Sequence, residues 1–224
     1  MRHLPIAAAL GLGLLCGTTA MAGPIVGAID VTTDASSFPA ETDAGPNDWD
    51  ISNLISQDSL SASYESGVSD FEEYMAEGAT DDDAPGSAFG TFAPEASLTF
   101  ELSSAQVIDG LVLWNRGQSE QGIRAFTVTT ATSDDFSDAE VVGQFETMMP
   151  DGEGAAAAQI FRFDPASALF VRLDVTSNWG LATMANEVAF RRADGRPEWA
   201  STAFIVMLLL GLGYSTLRFF LPKY

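Results

Sequence analysis

Between residues 98 and 191 the chain breaks into short runs of alternating apolar and polar character. They are LTFEL (98–102), VIDGLVLWN (107–115), IRAFTVTTATS (123–133), VVGQFET (141–147), AQIFRF (158–163), LFVRLDVTS (169–177) and NEVAFR (186–191). Side chains two residues apart share one face of an extended strand, so this period with its β-branched and aromatic residues specifies half-buried strands. The breaks fall on turn formers: Ser103 and Ser104, Arg116 to Gln118, Ser133 to Asp135, Pro150 to Gly152, and Ser177 to Gly180. No period typical of a solenoid or propeller recurs, and the expected class is all-β, one antiparallel sandwich.

Residues 34–93 carry weaker strand signals and are rich in Asp, Ser, Gly and Ala. Leu54 and Ile55, and a short helix within VSDFEEYMAEG (68–78) with Phe71, Tyr74 and Met75 facing inward, are the ordered parts expected there. The rest reads as loops wrapped over one end of the sandwich.

Both ends of the chain have a different character. Residues 1–22 place Arg2 and His3 before an apolar stretch that closes on Ala20, Met21 and Ala22, the order of a secretory leader cleaved before Gly23. Cys16, the only cysteine, lies in that stretch behind Leu15, where a lipid-attachment signal wants a small residue; it reads as apolar filler. The matured chain then has no cysteine, which excludes disulfides, thiolate metal sites and a cysteine nucleophile. Residues 199–217, WASTAFIVMLLLGLGYSTL, have the length of a single membrane-spanning helix, with Trp199 and Tyr214 at interfacial positions. Arg218 and Lys223 follow on one side only, which puts the short tail 218–224 in the cytoplasm and the body outside. A buried core helix is the alternative for this run. The sandwich domain is thus expected over 23–192, with a linker at 193–198.

The formal net charge of −21 sits almost wholly in the body, in runs such as TDDDA (80–84) and SDDFSD (133–138). Such a field repels nucleic acid and anionic lipid, leaving neutral glycans, cations or basic proteins as partners, or solubility alone as its purpose. The only histidine is His3, so a matured chain has no histidine-dependent triad or histidine metal site. No nucleophile elbow or phosphate loop occurs, and the expectation is a protein without catalytic activity.

Two resemblances add to this reading. Pro197 and Glu198, then Ala200 to Thr202, the apolar run and the basic end resemble a PEP-CTERM sorting tail, although Trp199 replaces the usual second proline. That resemblance implies an exosortase-type sorting transpeptidase as partner, in an exopolysaccharide-producing bacterium; a plain single-span anchor is the alternative. SLTFELSSAQVIDGLVLWN (97–115), GIRAFTVTTATSDDFSD (122–138) and LFVRLDVTSNWGLATMANEVAFR (169–191) together resemble a discoidin, or coagulation factor 5/8 type C, domain. This implies a galactose-binding-like jelly roll. The front of the chain departs from the family's pattern, with TDDDAPGSAFG (80–90) in its place.

The discoidin resemblance further implies a structural calcium ion between a front loop and the glutamate of the last strand, here Asp81, Asp82, Asp83 and Glu187. A solvated acidic turn is the other reading of those aspartates, which lack the register of an EF-hand loop. A glycan site on such a fold would use aromatic faces at loop tips, with Trp179 and Asn178 in the turn 177–180 as first candidates and Trp49 next. A half-buried packing role is the competing reading of each tryptophan, and Trp114 is expected in the core. The expected function is an exported, membrane-anchored, non-catalytic module for extracellular carbohydrate, facing the periplasm from the inner membrane or at the cell surface after processing. An accessory subunit of a membrane complex, or a matrix protein released by sorting, are the alternatives.

Overall fold

The computed structural model describes residues 23–38, 49–82, 87–117, 120–149 and 154–193. The expected leader, the linker, the apolar run 199–217 and the basic tail lie outside the described residues. Among the described residues, no helix is long and apolar enough to cross a membrane.

The strands are β1 (Ile25–Val26), β2 (Asp30–Thr33), β3 (Thr80–Asp81), β4 (Phe89–Thr91), β5 (Ala96–Asn115), β6 (Ile123–Ala131), β7 (Glu140–Glu146), β8 (Ala156–Asn178) and β9 (Thr183–Arg192). One helix, α1 (Phe71–Ala76), and a 3-10 helix (Ile51–Ile55) complete the elements among the described residues. The pairs are antiparallel, in the order β1-β9-β5-β8-β6-β7, with β2 on β5, β3 on β8 and β4 on β9.

The sheet curls because its two longest strands bend together. β5 and β8 pair from Ala96↔Val175 to Trp114↔Ala158, with register shifts between Glu101 and Gln106 and between Ile108 and Gly110. Such irregularities let a strand turn a corner. Ser103 and Ser104, expected to separate two strands, lie on that corner within continuous β5. Beyond it the ribbon changes neighbours: β2 and β6 flank the arm holding residues 98–101 and 170–178, while β9 flanks the arm holding 108–115. The result is two leaves packed face to face. Leu98, Phe100, Leu102, Phe126, Val128, Val171 and Leu173 from one leaf meet Leu111, Leu113, Val188 and Phe190 from the other, all buried in one cluster.

The second leaf is buried on its outer face as well. Val112, Trp114, Ala189 and Ile25 pack there under Phe71 and Tyr74 of α1 and under Tyr64. Asp70 caps α1, accepting from the Glu73 N–H at 2.9 Å, and the acidic Glu72 and Glu73 suit the first turn. β9, buried at nearly every position, therefore loses the in-out alternation that a half-exposed strand keeps. The front of the chain thus does more than cover one end: residues 57–82 roof a whole face, and β3 and β4 add to the second leaf. Those strands are two and three residues long, too short to display a period.

Trp114 anchors that roof, fully buried and donating its indole N–H to the Ala79 carbonyl at 2.9 Å. Trp114→Ala is expected to cost about 3 to 5 kcal/mol of stability, read as a shifted urea midpoint. Val141→Ser on the exposed edge strand β7 should stay within about 0.5 kcal/mol of the parent.

Candidate functional site

The folded-over ribbon brings the ends of β5 and β8 to the same end of the sandwich, and the expected ligand residues gather there. Asn115, the last residue of β5, bridges to the start of β6. Its Nδ2 donates to the Ile123 carbonyl at 2.7 Å and its Oδ1 accepts from the Ile123 N–H at 2.9 Å. Gly122 makes this possible at φ 105°, with no room for a Cβ beside the Asn115 amide. Thr147 joins the same knot, donating to the Ile123 carbonyl at 2.6 Å and accepting from the Trp179 indole at 2.9 Å.

Trp179 is half-buried, held by Thr147 along its edge and by the Arg124 guanidinium, 5.1 Å from its ring centre, over one face. The Asn178 side chain shapes the turn, accepting from the Gly180 N–H at 3.2 Å and donating to Thr183 Oγ1 at 3.3 Å. Thr183 passes the connection on, donating to the Ala93 carbonyl at 2.7 Å and pairing with Thr91 of β4. Beside β4, Phe38 packs on Phe92 at 4.3 Å and on Trp49 at 5.6 Å between ring centres, and Arg116 lies 5.4 Å over Trp49. Trp179, Asn178 and Trp49 are thus linked through one loop cluster. At its tips Phe92 is 73% exposed, Leu181 70% and Met148 72%. Phe92 was not singled out from the sequence; it stands in a short loop whose exposure depends on β4 pairing with β9.

A second site lies on the outer face of the second leaf. Glu187 of β9 is buried opposite Trp114. One carboxylate oxygen accepts from the Gln57 N–H at 3.1 Å, the other from the Tyr64 hydroxyl at 3.4 Å. Gln57 reaches it from a left-handed backbone at φ 59°, unusual for a residue with a side chain. Asp81 is equally buried, and its Oδ1 accepts from Asn186 Nδ2 at 2.9 Å. Asn186 Nδ2 also lies 3.3 Å from the Asp82 carbonyl, while its buried Oδ1 has no hydrogen-bond partner among the described residues.

Two of the expected calcium ligands, Asp81 and Glu187, are therefore both buried, and the Asp81 charge acts on the Glu187 carboxyl. Asp82 is exposed, offering its carbonyl rather than its carboxylate to Asn186, and Asp83 lies outside the described residues. Among the described residues, no group of three or more His, Cys, Asp or Glu is arranged to hold a metal. The oxygens are nonetheless of the hard type calcium takes: two buried carboxylates and the unpartnered amide oxygen of Asn186. Asn186, Gln57 and Tyr64 were missed as members of this cluster, since nothing in their local sequence marks residues that meet across the fold.

Burial pushes the Glu187 carboxyl well above its ordinary value. The Gln57 N–H opposes that shift, the Asp81 charge adds to it, the Tyr64 hydroxyl opposes it and the Asp58 charge adds to it. Burial, with the Glu187, Asp81 and Glu77 charges behind it, raises the Tyr74 phenol to about 12.

The chain matches no family model and no curated protein. Among solved structures it is similar to the CBM32-1 and CBM32-2 domains of Clostridium perfringens ZmpB, at TM-score 0.48 and 14% identity over 76% of this chain and 36% of that one. It thus spans about a third of that ZmpB chain. It is also similar to the family 32 CBM of C. perfringens NanJ solved with galactose, at TM-score 0.47 and 13% identity over 75% of this chain and 98% of the other. A pectin-binding carbohydrate-binding module gives TM-score 0.46 and 16% identity over 77% of this chain and 96% of its own.

The raised Glu187 carboxyl fixes the sign of a pH dependence. Folded chain keeps a proton that unfolded chain releases near 4.5, so this group's contribution to stability falls as pH rises from that value towards the folded one. In chelator, the melting temperature of Glu187→Gln should therefore fall less than that of the parent between pH 4.5 and 7. Equal slopes in differential scanning calorimetry would show that Glu187 is not the titrating group.

Proposed function

We propose that this protein is an exported, membrane-tethered, non-catalytic module that binds extracellular carbohydrate at the loop end of its sandwich. The observation that carries the reading is the joining of half-buried Trp49 and Trp179 with solvent-facing Phe92 in one braced loop cluster. Sugar rings present C–H faces that stack on such side chains, while their hydroxyls find polar groups at the rim. Net charge favours neutral glycans over acidic ones, because the body would repel polyanions. A single site of this kind binds weakly, so display of many copies on a membrane would supply avidity.

In this reading residues 1–22 direct export, and 199–217 tether the chain or serve as the sorting signal of a transpeptidase. A calcium ion at the second site would be held by Asp81, Glu187 and Asn186. It would supply positive charge where two carboxylates are buried together, with no part in any reaction. The site's purpose is then to fasten residues 57–82 over the sheet. Calcium should raise the melting temperature of the parent at pH 7 by several degrees and that of Glu187→Gln much less.

Full-chain protein in detergent micelles, screened on a glycan array and then titrated calorimetrically with its best hit, tests the glycan site. Phe92→Ala and Trp179→Ala should each weaken binding roughly tenfold, or about 1.4 kcal/mol. Unchanged affinity in Phe92→Ala, Trp179→Ala and Trp49→Ala would move the site elsewhere. The exposed apolar side chains of Phe92, Leu181 and Met148 favour one other reading, an accessory subunit docking by its loop end. Failure to bind any glycan, with stoichiometric co-purification of one membrane protein lost in Phe92→Ala, would establish it.

A further inference from the structure

Where the outer face of the second leaf is sealed, that of the first leaf stays open. Leu98, Val128 and Leu173 turn inward, so Ser97, Thr127, Arg172 and Asp174 beside them point away from the core and are only half-buried. The pairing sets them in rows: Ser97, Asp174, Thr127 and Gln144 stand side by side across four strands.

One aromatic ring is brought over this face. Phe136 lies between β6 and β7 at φ 55°, a left-handed backbone that is strained for a residue with a side chain. The loop is tied to hold it there. The Asp138 carboxylate accepts from the Thr132 N–H at 3.1 Å, the Ser133 N–H at 3.2 Å and both hydroxyls, and the Phe136 N–H donates to the Ser133 carbonyl at 3.1 Å. The Arg172 guanidinium lies 4.5 Å from the centre of the Phe136 ring. Its Nε donates to Asp174 at 3.1 Å, and Asp174 also accepts from the Ser97 hydroxyl at 2.7 Å. The Arg172 side chain is 34% exposed, and among the described residues its terminal nitrogens have no hydrogen-bond partner.

We propose that Phe136, Arg172 and Asp174 form a second sugar-binding site, on the open face of the first leaf, and that the ligand is a neutral polysaccharide chain rather than a lone sugar. The inference rests on the reading of the loop end as a glycan site and extends it. Both places have the same make-up, a ring under a guanidinium that also holds a carboxylate: Trp179 with Arg124 and Glu146, and Phe136 with Arg172 and Asp174. Such a pair is neutral as a whole and sets N–H donors beside carboxylate acceptors. Adjacent sugar hydroxyls, which both donate and accept, match that pattern, and the ring takes a C–H face. An anionic ligand would meet Asp174 and, in the row beyond Arg172, Glu101 paired with Asp30. Ser177, in the row of Ala125 and Glu146, marks the loop end of the face. Arg172 lies five residues before it on β8, about 16 Å away at the rise of a strand. One sugar ring is too short for that span; a chain crosses it over the polar row of Thr127 and Gln144.

The test uses the full chain in micelles of a detergent without a sugar head group. The probes are three uncharged polysaccharides, galactomannan, xyloglucan and dextran, each as a disaccharide and a hexasaccharide fragment, titrated calorimetrically. The parent is expected to bind one of the hexasaccharides roughly tenfold more tightly than its disaccharide. Phe136→Ala and Arg172→Gln should remove that advantage and leave the disaccharide affinity as it was, whereas a damaged fold would lower both. Arg172→Gln stands alone should Phe136→Ala not fold. A parent without the advantage, or variants that keep it, overturn the inference. Disaccharide binding lost in Trp179→Ala then leaves the loop reading standing. A parent that binds none of the six fragments overturns the inference together with the neutral-glycan reading beneath it.

Discussion

The two-stranded ribbon of β5 and β8 is the constraint on which the remaining geometry depends. Its arms belong to different leaves, so the corner near residues 102–106 decides which side chains face each other across the core. A slip of one residue would turn Leu98, Phe100 and Leu102 to solvent together. The same corner returns the end of β5 to the end of β8, and this is why Asn115 can hold Ile123 while Trp179 holds Thr147. The loop cluster at the end of the sandwich thus follows from the pairing of the two strands whose ends it gathers.

Covering the second leaf on both faces has an electrostatic consequence. Glu187 alternates with inward-facing Val188 and therefore points to the outer face, where a roof of residues 57–82 excludes water. A buried carboxylate is costly unless it is neutral, hydrogen-bonded or paired with a cation. The Gln57 N–H and the Tyr64 hydroxyl supply part of what it needs, and Asp81 acts against it. Gln57 adopts a left-handed backbone to make its contribution, so the strain lies where the roof meets the charge. Roof and carboxylate depend on each other: without residues 57–64 Glu187 would be hydrated, and without an acceptor there Gln57 would have no reason to be strained.

Strands with one wet face were legible in the sequence. β6 and β7 stand within two residues of the runs that announced them, and the separate runs at 98–115 and 158–177 are the arms of β5 and β8. The buried faces of Phe71 and Tyr74 were visible because a short helix still shows its period. β1, β3 and β4 were not, since each is held by a neighbour distant in sequence rather than by its own pattern. Among candidate site residues, Trp49, Trp179, Asp81 and Glu187 were named by residue type and position. Their partners Arg116, Arg124, Asn186 and Gln57 become evident only when the leaves are closed.

The basic residues show how an acidic surface and a loop site coexist. Every basic residue between 23 and 193 is an arginine, and four of them stack on rings: Arg116 on Trp49, Arg124 on Trp179, Arg162 on Phe71 and Arg172 on Phe136. A guanidinium is planar and weakly hydrated, so it can cover an aromatic face and still bond a carboxylate at its edge, which a lysine ammonium does poorly. Arg162 with Glu72 and Arg124 with Glu146, the latter at 3.0 Å, do both. At the loop end the outcome is asymmetric. Trp49 and Trp179 each have an arginine over the ring, which fixes the indole, while Phe92 packs on Phe38 and stays largely exposed. Among the described residues of the cluster, Arg116 is buried and Arg124 pairs with Glu146, so neither offers a strong cationic lure. A surface of this kind would select a ligand by ring faces rather than by charge, as the proposed binding of an uncharged sugar requires.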